Sequence, residues 1–264
     1  MKKNLVGAVA LFAFAAAPAL AADLPARTYT KAPAVTAAVY DWSGFYVGAN
    51  GGWGSSSNCW DVTNNVLTPG APVVGPVVPA AADGCNSGSG AVGGGQLGYR
   101  WQTSNYVFGV EAQGDWSNVK GSTFSVFSGP PNINSSSIDG FGLFTGQVGF
   151  AVDNVLFYVK GGGAVTSDRY FGLVGPGAAV YDQASETRWG GAVGAGFEYG
   201  LARNWTVALE YDHLFMGTNN VNLYSTGALA PAGTLSRTDS IGQSVDLVTV
   251  RVNYKFGGPV VARY

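Results

Sequence analysis

Charge is scarce in this chain. Asp, Glu, Lys and Arg together make up 11% of its 264 residues, and it has one histidine, His213, and two cysteines, Cys59 and Cys85. Nucleophilic hydrolysis needs a base held beside the nucleophile. Two positions beyond His213 stands Phe215, not a serine, and there is no second histidine, so no such set can be assembled around it. Calcium loops, zinc spacings, phosphate-binding loops and nucleophile elbows are missing as well. The expectation is therefore no enzyme, with no catalytic residue, no metal and no cofactor.

Long apolar runs are nearly absent too. Leu5–Ala17 follows Lys2 and Lys3 and precedes Ala19-Leu20-Ala21. This run is too short to span a bilayer as a helix, and its flanks are those of a signal peptide cut before Ala22. With those two lysines gone, 12 basic residues face 16 acidic ones. That excludes the basic surface that nucleic-acid binding requires.

What remains is unusual: 40 glycines and 13% aromatics. A disordered Gly-rich chain would not carry so many aromatic and β-branched residues. Residues 1–21 read as the signal peptide, 22–41 as an Ala/Pro-rich extended linker, and 42–264 as a single domain. From Trp42 onward, segments of about ten residues alternate apolar with small or polar residues, the period-two pattern of a strand with unlike faces.

The last of these segments is the clearest. Val248, Val250, Val252, Tyr254 and Phe256 share one face, and Thr249, Arg251, Asn253 and Lys255 the other. About eight such segments can be placed. Short links at 103–105, 153–154 and 202–204 alternate with long ones at 55–90, 119–137, 167–187 and 216–245. Outer-membrane barrels have short periplasmic turns, long external loops and both chain ends periplasmic. The fold expected is thus all-β: an eight-stranded antiparallel transmembrane β-barrel behind a signal peptide. Trp101, Tyr106, Trp205, Tyr254 and Phe256 lie at segment ends, where aromatic rings favour the headgroup level.

On the deduced inward faces lie Arg100, Lys160, Arg251 and Lys255, and against them Glu111, Asp115, Glu198, Glu210 and Asp212. The lumen of an eight-stranded barrel is just wide enough for side chains to fill, so these read as a paired, hydrogen-bonded plug. A selectivity filter lining a water path is the functional alternative. Cys59 and Cys85 fall in the first long link of an exported chain and read as a disulfide worth about 3 kcal/mol. Haem ligation by His213 with Met216 is chemically open, against a rim histidine hydrogen-bonded near Asp212. The apolar run Val73–Pro79 reads as a contact surface or as packing over the barrel mouth. The glycine triplets 93–95 and 161–163 read as strand positions allowing close packing.

The chain resembles the RopB-like outer-membrane β-barrel family of alphaproteobacteria, often labelled porin-family or outer-membrane immunogenic proteins and similar to the membrane domain of OmpA. The likeness rests on Ala22-Asp23-Leu24-Pro25, on residues 40–48 (YDWSGFYVG), on residues 210–213 (EYDH), and on residues 252–258 (VNYKFGG) followed by Tyr264. It implies a non-enzymatic envelope protein, tethered in some members to peptidoglycan through a mature N-terminal alanine, here Ala22. Other members are called porins or haemin binders. It also implies that the aromatic C-terminal strand, with Tyr254 and then Phe256 or Tyr264, is read by the barrel-assembly machinery. The expected role is a structural outer-membrane barrel with exposed loops; the alternatives are a small-solute pore and a haemin or host-ligand binding surface protein. The expected partners are outer-membrane lipid and lipopolysaccharide, the assembly machinery and peptidoglycan.

Overall fold

A computed structural model describes residues 40–257 apart from 176 and 178. The expected signal peptide, most of the linker with Ala22, and Tyr264 lie outside the described residues. Eight strands close into a barrel: β1 (Gly44–Asn65), β2 (Gly75–Thr103), β3 (Tyr106–Phe124), β4 (Asn132–Val152), β5 (Val155–Val174), β6 (Val180–Ala202), β7 (Trp205–Ser225) and β8 (Leu235–Lys255). Each is antiparallel to the next, and β8 returns to pair with β1. Closure leaves no edge strand over the paired length, so the backbone is satisfied inside the sheet.

One end of the barrel carries two-residue turns at 104–105, 153–154 and 203–204. Ser104 and Asp153 adopt left-handed φ values of 56° and 51°, which a tight hairpin demands and short polar side chains tolerate. Asn105 and Asn204 then cap neighbouring carbonyls, Ala151 O at 2.9 Å and Lys255 O at 2.6 Å.

The other end departs from the sequence expectation. The segments read as long loops are largely strand: β1 runs on to Asn65 and β2 starts at Gly75, and the strands are 19 to 29 residues long, not about ten. A tilted strand crosses the hydrocarbon core in about ten residues, so half of each strand projects beyond it. The outward faces mark the boundary. They are apolar from the turn end up to Trp53, Trp116 and Trp189, which stand 57%, 80% and 69% exposed. Beyond those rings they turn to serine, asparagine and threonine. A second girdle, at the turn end, holds Tyr99, Trp101, Tyr106, Tyr199, Trp205 and Tyr254.

One wall ladder is interrupted. Between β6 and β7, pairing stops at Gln183↔Tyr224 and resumes at Gly191↔Phe215, so eight steps along β6 face nine along β7. The extra residue lies at Met216–Gly217, where the β7–β8 register also shifts and Gly217 takes a left-handed φ of 68°. A bulge of this kind bends its strand and ends local pairing.

Candidate functional site

The lumen is the place where this fold gathers chemistry, and it is built in layers. At the turn end the chain before β1 plugs the mouth. Tyr40 and Trp42 meet at 4.6 Å with their rings inclined by 53° and pack with Val107, Ala151, Leu156 and Tyr158. The Trp42 amide donates to Gln102 Oε1 at 2.9 Å. Lys255 donates to the Asp41 carbonyl and lies 5.0 Å from the centre of the Tyr40 ring. The last residues of the segment read as linker thus belong to the plug. The repeated aromatics of residues 40–48 were the only sequence sign of it.

Above the plug, Arg100 pairs with Glu198 at 2.8 Å and lies over the Tyr46 ring at 4.5 Å. Glu198 also accepts from Thr206 and from Asn253. In the next layer Arg251 bridges Glu111 and Glu210. Lys160 reaches Glu210 at 2.7 Å, Asp212 at 3.2 Å and Glu111 at 3.6 Å. The hydroxyls of Tyr46 and Tyr158 donate to Glu111 and Glu210 at 2.7 and 2.6 Å. Among the described residues Asp115 pairs with no cation; it accepts from Asn50 and Gln113 at 2.8 and 2.7 Å. The structure therefore places all nine charges deduced from alternation inside the lumen, with seven in two ion-paired groups, Asp115 among amides and Lys255 at the plug.

Small residues make this packing feasible. A Cβ on Gly94 would stand 2.1 Å from the Gly114 carbonyl oxygen, and one on Gly162 would stand 2.0 Å from that of Phe144. The middle glycine of each triplet is fixed by the backbone of the adjoining strand.

Next comes a dry disc. Val119, Leu143, Ala164, Leu214, Val245 and Leu247 are all 0% exposed, and Val92, Ile138, Phe141, Ala192 and Met216 complete the cluster. Gly54 is the contribution of β1: a Cβ there would meet Val119, Leu247 and Val92 at 2.9 to 3.2 Å. Every strand thus sends a residue into this section.

The loop-end half holds layers that sequence reading missed. Trp60 meets Tyr170 edge-on at 5.3 Å among Val221, Leu223 and Ile241. Beyond them Arg237 is buried between Asp182 at 3.1 Å, Asp83 at 3.2 Å and Asp239 at 3.3 Å. Isolated charges in an otherwise uncharged stretch were the one available signal. Burial, reinforced by the neighbouring Asp83 and Asp182 and opposed by Arg237, pushes the Asp239 carboxyl up to about 7.

Cys59 and Cys85 form a disulfide. They do not sit in a loop, as the sequence suggested: they face each other in register on β1 and β2, on the outward face. His213 is also outward, with Nδ1 2.7 Å from Asp246 Oδ1, which accepts from the Tyr211 hydroxyl at 2.6 Å. Asp212, the neighbour expected for it, points into the lumen. Met216 is buried in the lumen, on the opposite face of β7 from His213, so the two cannot ligate one haem iron. Val74 and Val78 of the apolar run are 77% and 89% exposed, so that run does not pack over the mouth. Tyr254 packs between Trp205 and Phe256 at 5.1 Å from each.

The comparisons with known proteins agree with this architecture. The chain is 28% identical over 268 residues to the 31 kDa outer-membrane immunogenic proteins of Brucella melitensis biotype 1 and Brucella suis biovar 1, covering 97% of this chain and all of each relative. Among solved structures, the outer membrane protein OprG of Pseudomonas aeruginosa superposes with a TM-score of 0.51 at 12% identity, over 83% of this chain and 99% of that one. The model of the outer membrane protein beta-barrel domain matches residues 7–256. The chain belongs to the outer membrane protein β-barrel domain family and is a protein of the bacterial outer membrane.

Proposed function

We propose that this protein is a solid structural barrel of the outer membrane, with both chain ends in the periplasm, the loop end outside, and a tether to peptidoglycan through the mature N-terminus at Ala22. The observation that carries the reading is the dry disc: six side chains at 0% exposure, with all eight strands contributing to the section. Water crossing it would leave its hydrogen bonds behind, and the charges beneath it are paired with one another or, for Asp115, held by the amides of Asn50 and Gln113. The plug at Tyr40 and Trp42 closes the turn-end mouth a second time. This supports a non-conducting barrel over the pore alternative.

Short turns belong on the periplasmic side of such barrels and long extensions outside. Tyr40, the first described residue, then lies at the periplasmic mouth, on the side of the cell wall. Planar-bilayer recording of the refolded protein tests the seal: the expected trace is flat, and discrete conductance steps would overturn it. Digestion of purified peptidoglycan tests the tether. A muropeptide on Ala22 is expected, and a wholly free N-terminus would sink that part alone.

A further inference from the structure

The interrupted β6–β7 ladder opens a cleft that the barrel's structural role does not use. It encloses about 640 Å³ at the loop end, beyond Trp189, between β6, β7 and the connection after Ser225. We propose that it binds a saccharide.

The floor is closed, because Tyr170, Val221, Leu223 and Ile241 are buried behind it at 0 to 5% exposure. The cleft is therefore a blind site and not a portal into the lumen. Its size falls in the range of small-ligand pockets. Its lining combines the amides of Gln183 and Asn222, the hydroxyl of Ser185, the hydroxyl oxygen of Thr226, which donates to the Val180 carbonyl and is left as an acceptor, and the rings of Phe171 and Tyr224.

The charges at the cleft are already neutralised. Arg169 pairs with Asp139 at 2.6 Å, and Glu186 with Arg188 at 3.1 Å. No net charge is offered to an ion, so a neutral or weakly charged ligand is selected. Amides and hydroxyls both donate and accept, as a sugar's hydroxyls require, and an aromatic ring can cover the apolar face of a pyranose. Thr238 donates to Asn222 Oδ1 at 2.8 Å, which fixes that amide and leaves its N–H groups for a ligand.

The unpaired backbone of β6 and β7 would also suit an added peptide strand. The wall gap is already filled, however. Asn219 donates to Glu186 across it at 2.5 Å, and Arg188 passes behind it to donate to the Ile241 carbonyl at 2.9 Å. An added strand would have to break these bonds, whereas a sugar seated on the outward side leaves them in place.

Two sources supply that chemistry: the uncharged outer-core sugars of lipopolysaccharide, which lie at this height if the loop end faces outward as proposed, and free neutral glycans. The test uses the full barrel refolded in phosphatidylcholine vesicles, where far-UV circular dichroism and heat-modifiable gel migration confirm folding. It is titrated by ligand-observed NMR with an uncharged outer-core oligosaccharide of lipopolysaccharide, with chitotriose, and with an unstructured peptide. Binding of either sugar is expected; the core alone assigns the site to the membrane's own glycan, chitotriose alone to a free one. Tyr224→Ala combined with Asn222→Ala should weaken binding by about tenfold or more. Tyr224→Phe, which keeps the ring, should not weaken it. No saturation by either sugar below about 10 mM, unchanged affinity in the double variant, or binding of the peptide alone would each overturn the proposal. The readout does not depend on conductance, so it stands or falls separately from the sealed lumen.

Discussion

The same eight strands solve two different problems on either side of Trp53, Trp116 and Trp189. On the turn side of those rings the outward face meets lipid, and Val148, Phe150, Phe157, Val250 and Val252 stand 43 to 55% exposed without penalty. Beyond them lipid no longer defines the surface; the outward faces are largely polar outside the apolar start of β2, and the lumen side still buries the Trp60–Tyr170 layer. The first half is held by bilayer and ladder together, and the charges in its lumen are tolerated because they are paired with one another. The second half must hold itself up, by the Trp60–Tyr170 layer, the Arg237 cluster and the Cys59–Cys85 bridge. Strand length in this barrel is thus not set by the thickness of the membrane.

The sharpest way to break that division is to remove one cation from each half. Arg251→Met strips the bridge between Glu111 and Glu210, both 0% exposed, and leaves Lys160 to serve three carboxylates. Orphaning buried charges in this way costs about 3 to 5 kcal/mol. The loss should appear as a lower urea midpoint of the whole barrel in vesicles. Arg237→Met removes the cation shared by Asp83, Asp182 and Asp239 at a similar local cost, but the damage should stay beyond the tryptophan girdle. Amide exchange should speed up at residues 235–241 and not at 248–254. Equal loss of protection in both stretches would show that the two halves unfold as one unit.

A smaller effect is expected at the disulfide. Cys59 and Cys85 join strands already paired on both sides of them, so Cys59→Ser with Cys85→Ser should cost at most about 3 kcal/mol. The cost should be confined to exchange at the β1–β2 tip. A shifted midpoint for the membrane-level strands would contradict that confinement.

The same division explains what could be read from the sequence. Where one face meets lipid, alternation reports both faces, and Val248 to Lys255 gave the strand, its orientation and its lumen charges together. Where both faces are polar the signal vanishes. Ser55, Ser57 and Cys59 point out while Ser56 and Asn58 point in, and nothing in their hydropathy distinguishes that run from a loop. The Arg237 cluster was hidden for a further reason: Asp83, Asp182 and Arg237 come from three strands, and only barrel closure brings them together. The β6–β7 cleft arises from one additional residue at Met216–Gly217, a register feature that no single strand displays.

The most modest prediction concerns pH and again separates the halves. Asp239 has its carboxyl pushed up to about 7 by burial and by Asp83 and Asp182, against the pull of Arg237, whereas an unfolded aspartate titrates near 3.9. Between those values the folded loop end holds a proton that the unfolded chain has released, so its stability falls as pH rises. The contribution is fully present below about pH 4 and lost by the time pH has passed about 7. Amide exchange at 237–241, corrected for its intrinsic pH dependence, should therefore report easier opening at pH 8 than at pH 5. In Asp239→Asn, whose amide is neutral throughout, that difference should shrink. A pH dependence that survives unchanged in the variant would assign the proton to another group, and Asp168, which burial also holds above the usual carboxylate range despite hydrogen bonds from Thr166 and Gln243, is the next residue to replace.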